Sequence, residues 1–301
     1  SLPDPVIITP MAEHQKYFAV RDARGRLLPH FVAVNNTLAR DEDVVRRGHE
    51  RVLRARLSDA HFFFKEDRKR PLADRLEDLR DVIYQAELGT SHSKVERFTR
   101  LAVRLAEDLV PERVNEVKQA ARLAKCDLVT EMVGEFPSLQ GTMGEVYAGL
   151  DGHPPAICRA VREHYLPVRA GGDLPEGVIG ALVGIADRMD TIAGGFAIGQ
   201  EPSGAADPFA LRRHALAILR ILEQRAWNLS LEGFVAQALA GLAESVAFDR
   251  EAVHARVMAF FRERYRNRML QDGHDAGVVD AVLAVRFDRV PGLRNGIEHL
   301  E

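Results

Sequence analysis

Six scattered side chains, His92, Cys126, Asp127, Glu163, His164 and Asp187, are of types that hold catalytic metal ions and lie on segments that read as helices of one bundle. Imidazole and carboxylate groups carried on helices of one bundle can converge on a cation, and a metal-bound water then attacks a phosphoester. The cysteines, Cys126 and Cys158, lie far apart and form no Cys-x-x-Cys pair. That spacing argues against a zinc knuckle, a redox motif or a disulfide framework, and it fits a reducing, cytoplasmic setting.

Two basic clusters suggest a different chemistry. In the segment from Pro202 to Leu222, Arg212, Arg213 and His214 fall in the first turns after Asp207, with Arg220 about two turns on. Such a face grips phosphates or is simply solvated. The segment from His254 to Arg268 holds five arginines against one Glu, interleaved with Phe260, Phe261 and Tyr265. Phosphate neutralisation beside aromatic stacking is RNA-binding chemistry. Helical spacing, however, puts Val257 and the aromatics on a core-facing stripe, which leaves the arginines as the contacts. Arg212, Arg213, Arg220, Arg264 and Arg266 are therefore the RNA-binding candidates. The run from Phe62 to Leu72 is explained by a strand end entering a basic loop. His14, His30, His49 and His61 receive no role. The sequence contains no Gly-rich phosphate loop, Ser-His-Asp order or zinc signature.

The elements that must position these groups are mostly helical. Before residue 36, VIIT, KYFAV and HFVAV are short apolar or β-branched runs that predict two or three strands, with Gly25 turning the RDARGR hairpin. From Ser91 the period is helical. Val95, Phe98, Ala102, Leu105 and Leu109 form one stripe ended by Pro111, and Val114, Val117, Ala121, Ala124 and Leu128 form a second. Further helices are expected over 139–150, 156–164 and 178–192. Asp207-Pro208 opens another that runs to about Trp227, and Ser230 and Asp249 cap two more.

Composition bounds the partners. The 301 residues are 46% hydrophobic and 28% charged, and the longest apolar stretch, Gly177 to Ala186, falls well short of a membrane span. A net charge of −3 gives no global attraction to nucleic acid, so such contacts must come from local patches, and DNA and membranes are not expected partners. Arginine makes up 35 of the 41 basic residues, and its planar fork suits phosphates. The opening residues, Ser1 to Pro5, lack a starting Met and a signal-peptide pattern, which suggests a piece of a longer chain.

The strings HSKVERFTRLAVRLAE, CDL and ADRMDTI resemble the first His helix, the His-Asp doublet and the last Asp helix of the HD superfamily of helical phosphohydrolases. The departure is Cys126, which stands where the doublet His belongs. A lone thiol suits hard ions poorly, so no metal and no catalytic residue are assigned, and His92, Cys126, Asp127, His164 and Asp187 are read as the remnant of such a site. The alternative is a working metal-dependent phosphohydrolase acting on nucleotides. A third reading is a purely structural helical adaptor.

Longer strings are more specific. EHQKYFAVRDARGRLLPHFVAVNN, GHERVLRARLSDAHFFFKEDRKRPL, LAKCDLVTEMVGEFPSLQGTMGEVYA, EHYLP and ADRMDTIAGGFAIGQEPSGAADPFALRRHAL are similar to successive landmarks of the β-subunit of bacterial glycyl-tRNA synthetase. VMAFFRERYRNRMLQDGHDAGVVDAVLAV resembles the opening of that family's anticodon-binding region. The resemblance implies a mainly α fold: the end of an α/β domain over 1–64, an HD-like helical domain over 65–228 and a further helical region over 229–301. It implies a tRNA-binding and assembly role in a heterotetramer whose α-subunit makes glycyl-adenylate with ATP and Mg. No cofactor is expected in this piece, and its partners would be the α-subunit and glycine tRNA.

Overall fold

The computed structural model describes residues 2–285 and 287–301, so Ser1 of the opening segment lies outside the described residues. The chain is mainly helical. Its first helix, α1 (Asp4–Thr9), and the π-helical turn Pro10–His14 precede a hairpin of β1 (Phe18–Arg21) and β2 (Leu27–Val32), paired antiparallel with Ala19 opposite Phe31. The VIIT run is thus helix rather than strand. Pro3 caps it and Pro5 sits in its first turn, where preset φ favours a helix, and Val6 is fully buried. KYFAV and HFVAV do form the hairpin, and Gly25 turns it at a φ of 77°.

Helix α2 (Glu42–Asp67) is the longest, opened by Asp41 accepting from the Val44 amide at 3.1 Å. The FFF run lies in its last turns, not in a strand, because Ala60 and Phe64 share one helical stripe and are buried together in the main core, while Leu53, earlier on that stripe, packs with Met11 and Tyr17. Asp67 then reaches across to α5 (Glu131–Glu135), accepting from the amides of Glu131 at 2.9 Å and Met132 at 3.0 Å. A second, very short hairpin, β3 (Ile83–Gln85) and β4 (Gly89–Thr90), leads into α3 (Ser91–Leu109), whose N-terminus Thr90 caps through the Ser93 amide.

The remaining helices are α4 (Val114–Leu123), α6 (Thr142–Leu150), α7 (Pro155–Glu163), α8 (Val178–Ala197), α9 (Leu211–Arg225), α10 (Leu231–Leu242), α11 (Arg250–Gln271), α12 (Ala276–Val285) and α13 (Leu293–Leu300). The centre is α8, buried continuously from Ile179 to Phe196 and packed by α3, α4, α7, α9, α10 and α11. Burying side chains such as Leu182, Ile185 and Ile192 contributes roughly 1.5–3 kcal/mol each. Close approach requires small residues on α8. A Cβ at Gly184 would stand 2.9 Å from the carbonyl oxygen of His164.

The second stripe breaks earlier than its spacing predicts: α4 stops at Leu123, and Cys126–Val129 is a 3-10 turn. Asp207 does cap its helix, accepting from the Leu211 amide at 2.7 Å and the Arg212 amide at 3.0 Å. The helix begins at Leu211 rather than Pro208, because Ala210 takes a left-handed φ of 53° and interrupts the turn. Ser230 and Asp249 cap α10 and α11 as expected.

Candidate nucleic-acid interface

Asp187 lies mid-way along α8, and both of its oxygens are held by ammonium groups: Lys94 on α3 at 2.9 Å and Lys125 at 2.9 Å. Lys94 also reaches Asp190 at 3.3 Å and the Thr191 hydroxyl at 2.7 Å, while Arg97 holds Asp190 at 2.7 Å. Lys125 completes its surroundings with the Tyr165 ring, 4.0 Å away. Burial alone would raise the Asp187 pKa, but Lys125 and Lys94 outweigh it and hold the carboxyl well below its ordinary range. Burial would likewise lower Lys94, yet Asp187, Tyr84 and Asp190 reverse that and keep it above the usual lysine value. In Lys125 burial wins over Asp187, and its pKa is lowered.

The other residues of this set surround the lysines without facing a common point. Asp127 accepts from the amides of Gly141 at 2.5 Å and Gly144 at 3.1 Å, and burial pushes its pKa to about 6 against those bonds and the charge of Lys125. His164 bonds the Val161 carbonyl through Nδ1 at 2.7 Å. Burial and then Lys125 hold it well below the ordinary imidazole value, so it is neutral. Cys126 donates to the Arg122 carbonyl at 3.1 Å, and burial pushes its thiol up to about 12. His92 turns to Glu77 at 3.5 Å.

This donor set does not fit a divalent cation. The carboxylate best placed to bind one is already neutralised by two ammonium groups, which repel a metal, and the thiol stays protonated. Among the described residues, no group of three or more His, Cys, Asp or Glu side chains is arranged to hold a metal ion. Sequence spacing did not single out Lys94 or Lys125. The one local signal was the position of Lys125, directly before the Cys-Asp pair.

Next to Asp187, Arg188 links this buried cluster to the surface. Its guanidinium is pulled down to about 10 by burial and stays charged. It donates to the carbonyls of His164 at 2.7 Å, Tyr165 at 2.8 Å and Leu166 at 2.7 Å, and so fixes the chain that leaves α7. That chain forms one wall of a cavity of about 710 Å³, whose other walls are α9 and α11. Five arginines line it: Arg169, Arg213, Arg220, Arg264 and Arg268, against a single acid, Asp272.

The commitments of these arginines differ. Arg213 is exposed and has no side-chain partner among the described residues. Arg220 donates to the Gly172 carbonyl at 3.1 Å, a neutral partner that leaves its charge uncompensated. Arg264 pairs with Glu263 and lies 5.7 Å from the Phe260 ring centre, and Arg268 holds Glu223 at 2.7 Å. Asp272, the lone acid, is taken by Arg294. A concave surface with this surplus of forked donors suits phosphate oxygens.

Of the five arginines selected from sequence, Arg213, Arg220 and Arg264 come together here. Arg212 does not join them. It donates to the Gly204 carbonyl at 2.9 Å and closes the loop before α9. Arg266 points to α12 and grips Asp280 at 2.8 Å. Arg169 and Arg268 complete the cavity without having been selected. Arg268 was visible as part of the basic run, but Arg169 stands alone in a glycine-containing loop.

The whole chain matches one family closely. Residues 1–284 fit the profile of the family described as glycyl-tRNA synthetase beta subunit. The chain is 52% identical over 299 residues to the glycine–tRNA ligase beta subunit of Geotalea uraniireducens, covering 99% of this chain and 43% of that protein. It is 53% identical over 287 residues to the one from Syntrophotalea carbinolica, covering 95% and 42%. The Geotalea daltonii protein is 51% identical over 300 residues, covering 100% and 44%.

Proposed function

The chain belongs to the glycyl-tRNA synthetase beta-subunit family, and we propose that it is the part of that ligase subunit that grips glycine tRNA and supports assembly with the α-subunit. It spans 43% of the length of the Geotalea uraniireducens relative, so what the complete subunit does is carried to it as part of this proposal. The observation that carries the reading is the cavity with five arginines and one committed acid. Such a surface holds a polyanion by charge-assisted, forked hydrogen bonds and releases counterions as it does so.

In this proposal the bond-making belongs elsewhere. Adenylate formation with ATP and Mg takes place on the α-subunit, in a cytoplasmic heterotetramer. This chain holds the RNA so that its acceptor end is presented to that site, a contribution through positioning. The lysine-neutralised Asp187 supports the division of labour, because an HD-like helical frame is being used here for its rigidity and not its chemistry. Among the described residues no helix is long and apolar enough to cross a membrane.

Tagged chain is tested separately for retention of the α-subunit and of labelled glycine tRNA, with Mn and nucleotide hydrolysis assayed on the same preparation. Retention of tRNA that falls on Arg213→Ala and Arg220→Ala supports the reading. Stoichiometric Mn with nucleotide hydrolysis lost on His92→Ala would overturn it in favour of a phosphohydrolase.

A further inference from the structure

Helix α2 packs against α1, α5 and the turn at Pro10–His14, and turns another face outward. On that outward face Arg47, Arg51, Arg54, Ser58, His61 and Lys65 recur at alternating steps of four and three residues. This spacing keeps all six on one narrow strip of the helix surface. Every one of them is exposed. From the first to the last the strip extends roughly 27 Å at 1.5 Å per residue.

The strip is unusual in what does not neutralise it. The acids within helical reach of its cations are Asp43 and Glu50, and both are taken by Arg46, at 3.0 Å and 3.7 Å. Arg47, Arg51, Arg54 and Lys65 have no ion-pair or hydrogen-bond partner through their side chains among the described residues. Like charges at four-residue steps, as in Arg47 and Arg51, destabilise a helix by a few tenths of a kcal/mol. A merely solvated helix face gains by mixing signs, and this one does not.

We infer that the outward strip of α2 is a second phosphate-tracking surface, separate from the arginine-lined cavity, and that it docks along the backbone of a double-helical RNA stem. This rests on the reading of the chain as an RNA-binding ligase subunit. Three features select a duplex. The strip lies on one uninterrupted helix and extends over several phosphate spacings. Its fixed cations stand at both ends, Arg47, Arg51 and Arg54 at one and Lys65 at the other. Of its six residues only His61 carries a ring, and none is a Phe, Tyr or Trp of the kind on which single-strand and loop readers stack unpaired bases. Contacts of this kind position a duplex and carry no sequence information.

The test uses the full chain and a fluorescein-labelled RNA hairpin, unrelated to tRNA in sequence, with a stem of about 12 base pairs, longer than ~27 Å at duplex spacing. Anisotropy titrations across a salt series compare wild type, R47A/R51A/R54A on the strip, and R213A/R220A/R264A in the cavity. The expected result is weaker binding by the strip variant, with the slope of log affinity against log salt shallower by about 2 to 3, from the loss of three phosphate contacts. A strip variant that matches wild type while the cavity variant weakens overturns this inference and leaves the proposed function standing. Absence of hairpin binding by wild type overturns the inference, and the proposed function falls with it only if glycine tRNA in the same titration is not bound either. Polyglutamate that displaces the strip from no RNA, yet binds wild type and not the strip variant, marks the strip as a seat for an acidic protein and overturns the inference. Unchanged circular dichroism confirms that these surface substitutions leave the fold intact.

Discussion

Removing the Asp187 carboxylate, by Asp187→Ala, strands a buried lysine. The two groups lose unequally. Lys94 keeps Asp190 at 3.3 Å and the Thr191 hydroxyl at 2.7 Å. Lys125 loses its one salt bridge, held at 2.9 Å, and keeps the face of Tyr165 and the more distant Asp127 carboxyl. At an effective dielectric of 20 each 2.9 Å pair has a gross attraction of about 6 kcal/mol, most of it offset by the desolvation of both partners. What remains visible is the cost of an uncompensated buried charge, about 3–5 kcal/mol. Urea denaturation followed by circular dichroism measures it, with the midpoint falling by about 1–2 M for a slope of roughly 2–3 kcal/mol/M. Because burial is the source of the loss, Lys125→Met in the Asp187→Ala background restores about 1–3 kcal/mol, whereas Lys94→Met restores less. The sign with pH follows from the lowered Asp187 pKa. Its contribution is present above the unfolded carboxyl value and is lost as pH falls through the folded one, so the gap between wild type and variant closes in acid. A loss below about 1 kcal/mol, or additivity of Asp187→Ala and Lys125→Met, would show that Asp187 does not compensate the buried Lys125 charge.

Three further outcomes are expected. Arg213→Ala weakens glycine tRNA binding by about fivefold at low salt, as fits the loss of one phosphate contact, while Arg212→Ala changes it less because that guanidinium is spent on the Gly204 carbonyl; anisotropy with each variant decides. Asp127, with a pKa raised to about 6 against 3.8, binds its proton earlier in the folded chain. Native stability therefore rises at this site as pH falls from about 7 towards 4, and Asp127→Asn flattens that segment of the stability–pH curve measured by denaturation. A Cβ at Gly144 would lie 2.6 Å from the Val161 side chain, so Gly144→Ala costs about 1–3 kcal/mol by overpacking, read from thermal or urea unfolding.

Much of the scaffold was legible in residue spacing. The stripe from Val95 to Leu109 and the caps at Ser230 and Asp249 are local signals that tertiary packing reinforced. VIIT and FFF were misleading because a short apolar run has no period of its own: prolines made the first a helix, and burial of Ala60 and Phe64 on one face made the second the end of α2. The family was legible because it is carried by long strings, not by a short motif. At the candidate interface, Arg213 and Arg220 share one helical face at a seven-residue step, which spacing reveals. Their meeting with Arg169, Arg264 and Arg268 is set by how α9, α11 and the Pro167–Gly171 chain pack, which no local pattern encodes. Lys94 and Lys125 were invisible for a different reason. Charged residues default to the surface, and the partner that allows Lys94 to be buried lies 93 residues further along the chain.

If this chain works by holding RNA phosphates in the arginine-lined cavity, its affinity must carry the salt dependence of those contacts. The most direct measurement is the salt dependence of glycine tRNA affinity for wild type and for R213A/R220A/R264A. Loss of three contacts makes the slope of log affinity against log salt shallower by about 2 to 3 and weakens binding most at low salt. Superimposable titrations of the two proteins across the salt series would contradict it.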